Sequence, residues 1–138
     1  MPPGAFAGAV RRGDVVTVSG QVPLKEKAVL RVGHLGAGVS LEEGRECARW
    51  ALLNALSQLE RAAGGFHRVR SFVRLAGYVA VTPDFTRHGA VIDGASELLR
   101  DVFPDRWEHA RIAVGVGSLP RGVPVEIELS AVIDVAED

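Results

Sequence analysis

Arg111 is the residue whose type and setting most readily do chemistry. It opens the alternating run Arg111-Ile112-Ala113-Val114-Gly115-Val116-Gly117, in which Ala113, Gly115 and Gly117 share its side of a strand. A guanidinium over small residues has space beside it, and its planar fork suits a carboxylate, with two N–H donors facing two oxygens. The plainer reading is a surface ion pair, with Glu126 or Glu128 of the following run as the partner. Residue type and spacing leave both readings open.

The elements that must position Arg111 follow from the same pattern. Ile112, Val114 and Val116 face one way in the first run, and Val125, Ile127, Leu129, Ala131 and Ile133 share a face in the second, around a turn at Leu119-Pro120-Arg121-Gly122. Read as a simple hairpin, these strands put Arg111 far from the turn and Glu126 close to it. At about 3.3 Å per residue the two would be more than about 12 Å apart. Sharing one site would then require Glu126 of a neighbouring subunit.

Earlier in the chain, Met1 to Gly4 reads as a loose end and Phe6–Val10 with Val15–Ser19 as a hairpin around Arg11-Arg12-Gly13-Asp14. Residues 20–39 hold four glycines and no sustained period, so they read mostly as loop, with a short extended piece near Val29–Val32. Ser40-Leu41-Glu42-Glu43 is a capping box opening a long helix that ends at Gly64-Gly65. Val69–Val81 reads as a long strand, with Arg70, Phe72, Arg74, Ala76, Tyr78 and Ala80 on the face away from Val69. Thr82-Pro83-Asp84 reads as cap, first-turn proline and acid of a second helix, which Pro104 stops. The order ββαβαββ is an α+β fold, one domain over residues 1–138 with two helices on one sheet face. On the other face Phe72, Ala76, Tyr78, Ala80, Ala113, Gly115 and Val132 are too apolar or too small for a solvated surface, so another subunit is the expected cover.

Composition narrows the functional classes. The 138 residues are 47% hydrophobic, enough for a proper core, and carry 16 basic against 17 acidic residues for a formal charge of −1. No charged tail asks for a polyanion or a membrane, no apolar run is long enough to span a bilayer, and the opening residues lack the charged start and apolar centre of a signal peptide. A soluble, cytoplasmic protein is expected. With Cys47 alone there is no internal disulfide, and His34, His67, His88 and His109 lack metal-binding spacing, so no metal and no cofactor are expected. His109 is near enough to Arg111 in sequence to line the same cleft.

The pattern His109-Ala110-Arg111 through Leu119-Pro120, followed by Val123-Pro124-Val125-Glu126-Ile127-Glu128, resembles the C-terminal signature of the Rid family of reactive-intermediate deaminases, also called YjgF or endoribonuclease L-PSP proteins. Val18-Ser19-Gly20-Gln21-Val22-Pro23 resembles the family's N-terminal SGQ element, and Pro83-Asp84-Phe85 with Ile92-Asp93-Gly94-Ala95-Ser96 its middle helix. The resemblance runs in order from about Phe6 to about Val132 and implies a chorismate-mutase-like homotrimer with sites between subunits. It implies hydrolysis of a 2-imino acid, or its enamine tautomer, to a 2-keto acid and ammonia. Arg111 would bind the substrate carboxylate and Glu126 would hold the attacking water. Gly20 would meet the ligand through its backbone, with Ser19 as a polar contact beside it. Three positions depart from the family: Phe6 stands where a tyrosine is usual, Ala113 where a cysteine is frequent, and Asp93 replaces an asparagine. An ionised Asp93 disfavours an anionic ligand unless it points away, which suggests a divergent subfamily with altered substrate preference. The alternative is a non-catalytic protein that binds small carboxylates. A third reading, endoribonuclease, lacks a basic stripe, an aromatic platform and paired histidines.

Overall fold

The computed structural model describes residues 2–135, so of the expected loose start Met1 lies outside the described residues, and Pro2–Gly4 form neither strand nor helix. The strands are β1 (Ala9–Arg12), β2 (Val15–Gln21), the two-residue pieces β3 (Leu24–Lys25), β4 (Ala28–Val29), β5 (His34–Leu35) and β6 (Gly38–Val39), then β7 (Val69–Ala80), β8 (Ala110–Val116) and β9 (Val125–Ile133). Helix α1 (Leu41–Ala63) precedes β7, and α2 (His88–Val102) connects β7 to β8. The main sheet has the order β1-β2-β9-β7-β8, and both helices lie on one of its faces, as the α+β pattern requires.

The ends of α1 are set by the residues that announce them. Ser40 Oγ accepts from the Glu43 amide at 3.1 Å, while the Ser40 amide donates to the Glu43 carboxylate at 2.9 Å. Those bonds, backbone first, hold the Glu43 carboxyl below its usual range, and Arg31 adds an ion pair at 2.6 Å. At the other end Gly64 adopts φ 86° and caps the last turn through its amide to the Glu60 carbonyl. Between them Cys47, Ala48, Ala51, Leu52, Ala55, Leu56 and Leu59 bury the stripe that packs on β2, β9 and α2.

Helix α2 begins later than its sequence suggests. Thr82-Pro83-Asp84 forms a turn in which Thr82 Oγ1 donates to Asp84 at 2.7 Å and the Phe85 amide donates to the Thr82 carbonyl at 3.1 Å. The hydroxyl meant to cap a helix is thereby spent inside the turn, and the helix starts at His88 without a side-chain cap.

The last two strands do not form a hairpin. Crossing over through α2 makes β8 parallel to β7, with Leu75 opposite Arg111 and Gly77 opposite Ala113, and leaves it on the sheet edge. Strand β9 inserts between β2 and β7, antiparallel to both, with Tyr78 opposite Glu126. Neighbours in sequence are not neighbours here, because β7 offers β9 a long central edge whereas β8 offers seven residues at the rim.

Face assignments change with the pairing. Register shifts between Val69 and Ser71 and between Phe72 and Arg74 rotate the start of β7, so Phe72 turns inward and meets Phe103 edge-on, ring centres 5.0 Å apart, while Val73 takes the exposed side. Ala113 and Gly115 pair with Gly77 and Val79 and therefore face the helices. Phe72, Ala113 and Gly115 thus drop out of the uncovered face. Ala76, Tyr78, Ala80 and Val132 remain on it, joined by Ile112, Val114 and Val116 of β8.

Candidate functional site

Arg111 points toward the helix side of the sheet, at its β8 edge. One nitrogen, Nη1, donates to Asp93 Oδ1 at 2.6 Å and to Ser96 Oγ at 3.3 Å. Asp93 and Ser96 stand three residues apart on α2 and so share a helix face. Neither Glu126 nor Glu128 is the ion-pair partner; Asp93 is, and it points at the guanidinium, not away from it. Behind Ser96 stands His109, whose Nε2 lies 3.0 Å from the hydroxyl and whose Nδ1 donates to the Trp107 carbonyl at 2.7 Å. That carbonyl can only accept, so Nδ1 carries a proton. Asp93, Ser96, Glu97, Arg100, Trp107, His109 and Arg111 surround an open cleft of about 390 Å³.

The small residues beside Arg111 serve packing. A side chain on Gly115 would collide with His88 and with Val81, so glycine there admits the first turn of α2 against β8. Ala113 packs against the core. The room for a ligand therefore lies on the other side of the guanidinium, toward Trp107 and His109. Helix α2 is in turn fixed to α1 by Arg45, which donates to the Ala90 carbonyl at 2.8 Å and to the Glu97 carboxylate. Gly94 allows that approach: a Cβ there would sit 2.5 Å from the Arg45 carbonyl oxygen.

Glu126 occupies a second cleft, of about 270 Å³, on the opposite sheet face with Gly20, Tyr78, Leu119 and Glu128. Gly20 lies in the stretch where the β2–β9 register shifts, and a side chain there would overlap the Glu126 carboxylate. Burial, and then the charge of Glu128 two residues on, raise the Glu126 carboxyl above its ordinary value. The Tyr78 hydroxyl donates to Glu128 at 2.5 Å, and that bond, followed by burial, raises the phenol. The Ser19 hydroxyl donates to the Ala7 carbonyl at 2.6 Å, tying the segment before β1 to β2. The Phe6 ring, in that segment, is half exposed.

One chain therefore places these residues in two separate groups, Arg111 with Asp93 and, farther along β8, Ala113 on one face, Gly20 with Glu126 on the other. From the registers, Arg111 and Glu126 are three residues apart along β7 and one strand to either side of it, so the separation of more than about 12 Å stands, for a different reason. The roles of Ser96 and Tyr78 escape sequence reading, although the spacing Asp93-x-x-Ser96 opposite His109-x-Arg111 is a legible signal for the first. The thiol of Cys47 is buried in the core and pushed up to about 11 by desolvation, which makes it a poor nucleophile. Among the described residues no group of three or more His, Cys, Asp or Glu side chains is placed to hold a metal ion. No helix among them is long and apolar enough to cross a membrane.

A family model described as "YjgF/chorismate_mutase-like, putative endoribonuclease" matches residues 4–129. The chain belongs to the YjgF family. It is 38% identical over 124 residues to the protein TCP17 of Trypanosoma cruzi, covering 89% of this chain and 78% of that one. The crystal structure of Atu1372, a protein of unknown function from Agrobacterium tumefaciens, superposes with a TM-score of 0.94 at 33% identity over 98% of this chain and 87% of that one. E. coli TdcF, solved with bound serine, shares the fold at a TM-score of 0.70 and 21% identity, over 96% and 91% of the respective chains. The α+β sheet with two helices on one face is thus the YjgF fold, and identities of this order agree with a divergent branch of it.

Proposed function

We propose that this YjgF protein hydrolyses reactive 2-imino acids, or their enamine tautomers, to 2-keto acids and ammonia, in clefts that a neighbouring subunit completes. The observation that carries the reading is Arg111, which α2 holds from one side at the mouth of an open cleft while Nε and Nη2 keep no partner among the described residues. A small carboxylate would bind that remaining edge of the fork. Water attacks the imine carbon, the C–N bond breaks, and the nitrogen leaves as ammonia with the protons it has gained. Orientation and proton handling supply most of the acceleration such a reaction needs. Glu126 suits the water-holding role, because its raised pKa brings it nearer neutrality, where a carboxylate both takes and returns a proton.

In a single chain the two groups lie on opposite faces, so the reading requires a homo-oligomer, a trimer by family precedent. The apolar surface of Ile112, 44% exposed, and Val15, 37% exposed, supports a subunit covering that face. The serine in TdcF supports an amino-acid-sized ligand. A ribonuclease needs a cationic track for phosphates, whereas the Arg111 cleft sets Asp93 and Glu97 beside Arg100 and Arg111.

The test generates imines in situ with an amino-acid oxidase and follows 2-keto acid release. Wild type should accelerate release and Arg111→Ala should not. Glu126→Ala should bind small carboxylates as wild type does without turnover. Binding without turnover in wild type would favour the carboxylate-binding alternative, and equal ligand binding by wild type and Arg111→Ala would remove the anchor altogether.

A further inference from the structure

We infer that Asp93 is a specificity-determining residue that makes the Arg111 cleft select zwitterions, ligands carrying a carboxylate and a protonated nitrogen on the same carbon, over simple keto acids. The inference rests on the imine-hydrolysis reading only for the identity of Arg111 as carboxylate anchor.

The cleft displays both charges side by side. Arg111 Nη1 is 2.6 Å from Asp93 Oδ1, and the pair is solvent-accessible, the arginine side chain 28% and the aspartate side chain 47% exposed. Nη1 is taken by Asp93 and Ser96, while Nε and Nη2 keep no partner among the described residues. Oδ2 of Asp93 has no donor among the described residues. The second acid of the lining, Glu97, is engaged by Arg45, so Asp93 is the carboxylate able to receive a ligand's donor.

A ligand seated with its carboxylate on Arg111 brings its next carbon toward this oxygen. In a protonated 2-imino acid that carbon bears an N–H donor with positive charge, which pairs with Asp93. In the 2-keto acid product it bears a carbonyl oxygen, an acceptor facing an acceptor, and the ligand's net negative charge adds repulsion. Replacing =NH2⁺ by =O thus turns attraction into repulsion. The same residue would favour the electrophilic iminium form, the one water attacks, and hasten departure of the product. An asparagine, whose amide can present either a donor or an acceptor, would not discriminate in this way.

L-Alanine and pyruvate test the point, since they differ in little more than this substituent. Calorimetric titration of each into the assembled protein should show wild type preferring alanine by roughly tenfold or more, the size of one charge-assisted hydrogen bond. Asp93→Asn keeps shape and the oxygen toward Arg111 and should erase the preference, chiefly by tightening pyruvate. Ser96→Ala, which removes the neutral contact and leaves the charge, should retain it. An unchanged ratio in Asp93→Asn, or a wild type that prefers pyruvate or binds neither, overturns the inference. If both ligands bind Arg111→Ala as they bind wild type, the anchor and the function built on it fail instead.

Discussion

Gly94→Ala tests whether the α1–α2 contact sets the site. The new Cβ would lie 2.5 Å from the Arg45 carbonyl oxygen, 3.0 Å from its Cα and 3.1 Å from its carbonyl carbon. Ordinary carbon–oxygen contacts begin near 3.3 Å, so the helices must part by about 0.8 Å. The obstructing atoms are helix backbone, held in place by the Arg45 bridges to Ala90 and Glu97, and cannot rotate away. Overpacking of this kind costs about 1–3 kcal/mol, against a gain of about 1 kcal/mol from replacing a helical glycine by alanine. With backbone as the obstacle the upper half of the range applies, leaving a net loss of about 1–2 kcal/mol. An unfolding entropy of about 2.1 cal/mol/K per residue converts this to a fall in Tm of roughly 3–7 °C. Thermal unfolding followed by circular dichroism, at one protomer concentration, reads it directly. Gly44→Ala is the control: its Cβ meets side-chain carbons of Leu35 and Val91 at 3.0–3.3 Å, which can give, so its fall should be smaller. A Gly94→Ala protein as stable as wild type would mean that the helices slide freely, and that Asp93, next in the chain, is not placed by this contact.

Ser40→Ala removes the capping box and should lower stability by about 1 kcal/mol, read as a shift in urea midpoint at unchanged slope; no shift would mean the cap is replaced by water at no loss. Gly20→Ala should leave the fold intact, since the far end of the Glu126 side chain can turn aside, yet lower imine hydrolysis on the order of a hundredfold through misplacement of that carboxylate. Alanine binding at Arg111 should persist in that variant, and full activity would separate Glu126 from the chemistry. Glu126 also fixes a pH dependence. Its folded-state pKa is raised above the ordinary value of 4.5, so its favourable contribution is complete below that value and is lost as pH rises through the folded pKa. Glu126→Gln should therefore flatten the stability profile above about pH 4.5 and gain most near neutrality. A steeper profile in the variant would reverse the sign of the argument.

Most of the fold was legible because its signals are local. The capping box at Ser40 and Glu43, the Gly64 terminus and the alternation in β8 and β9 each depend on residues within a few positions of one another. What failed were the long-range choices. Adjacency in sequence pairs β8 with β9, whereas the parallel docking of β8 on β7 is decided by where α2 packs, which no turn residue announces. Alternation puts Phe72 on the wrong face because it carries no mark of a bulge; the ring goes inward to meet Phe103. The Thr82 hydroxyl fits the role of a helix cap, but Asp84 intercepts it.

The residue types of the candidate site are legible in the sequence and their geometry is not, and the two errors about Arg111 have one cause. In the sequence its glycine and alanine neighbours look like space for a ligand, and the adjacent strand looks like the source of its counter-charge. Both follow from supposing that the residue faces an open sheet surface. Once β8 is parallel to β7, Arg111 faces α2 instead: the small residues make way for His88, and the counter-charge comes from Asp93 on the helix. The same reversal puts Glu126 on the far face with Gly20. On the proposed reading, a carboxylate anchor and a water-holding acid on opposite faces of one sheet cannot act together within a chain, but at a joint between copies the edge of one sheet can meet the open face of another. Dissociation to monomers, followed by sedimentation against activity over a dilution series, should therefore abolish turnover while leaving alanine on Arg111. Activity that persists in the monomer would require a different water-holding group beside Arg111, and Ser96 with His109 would be the pair to examine.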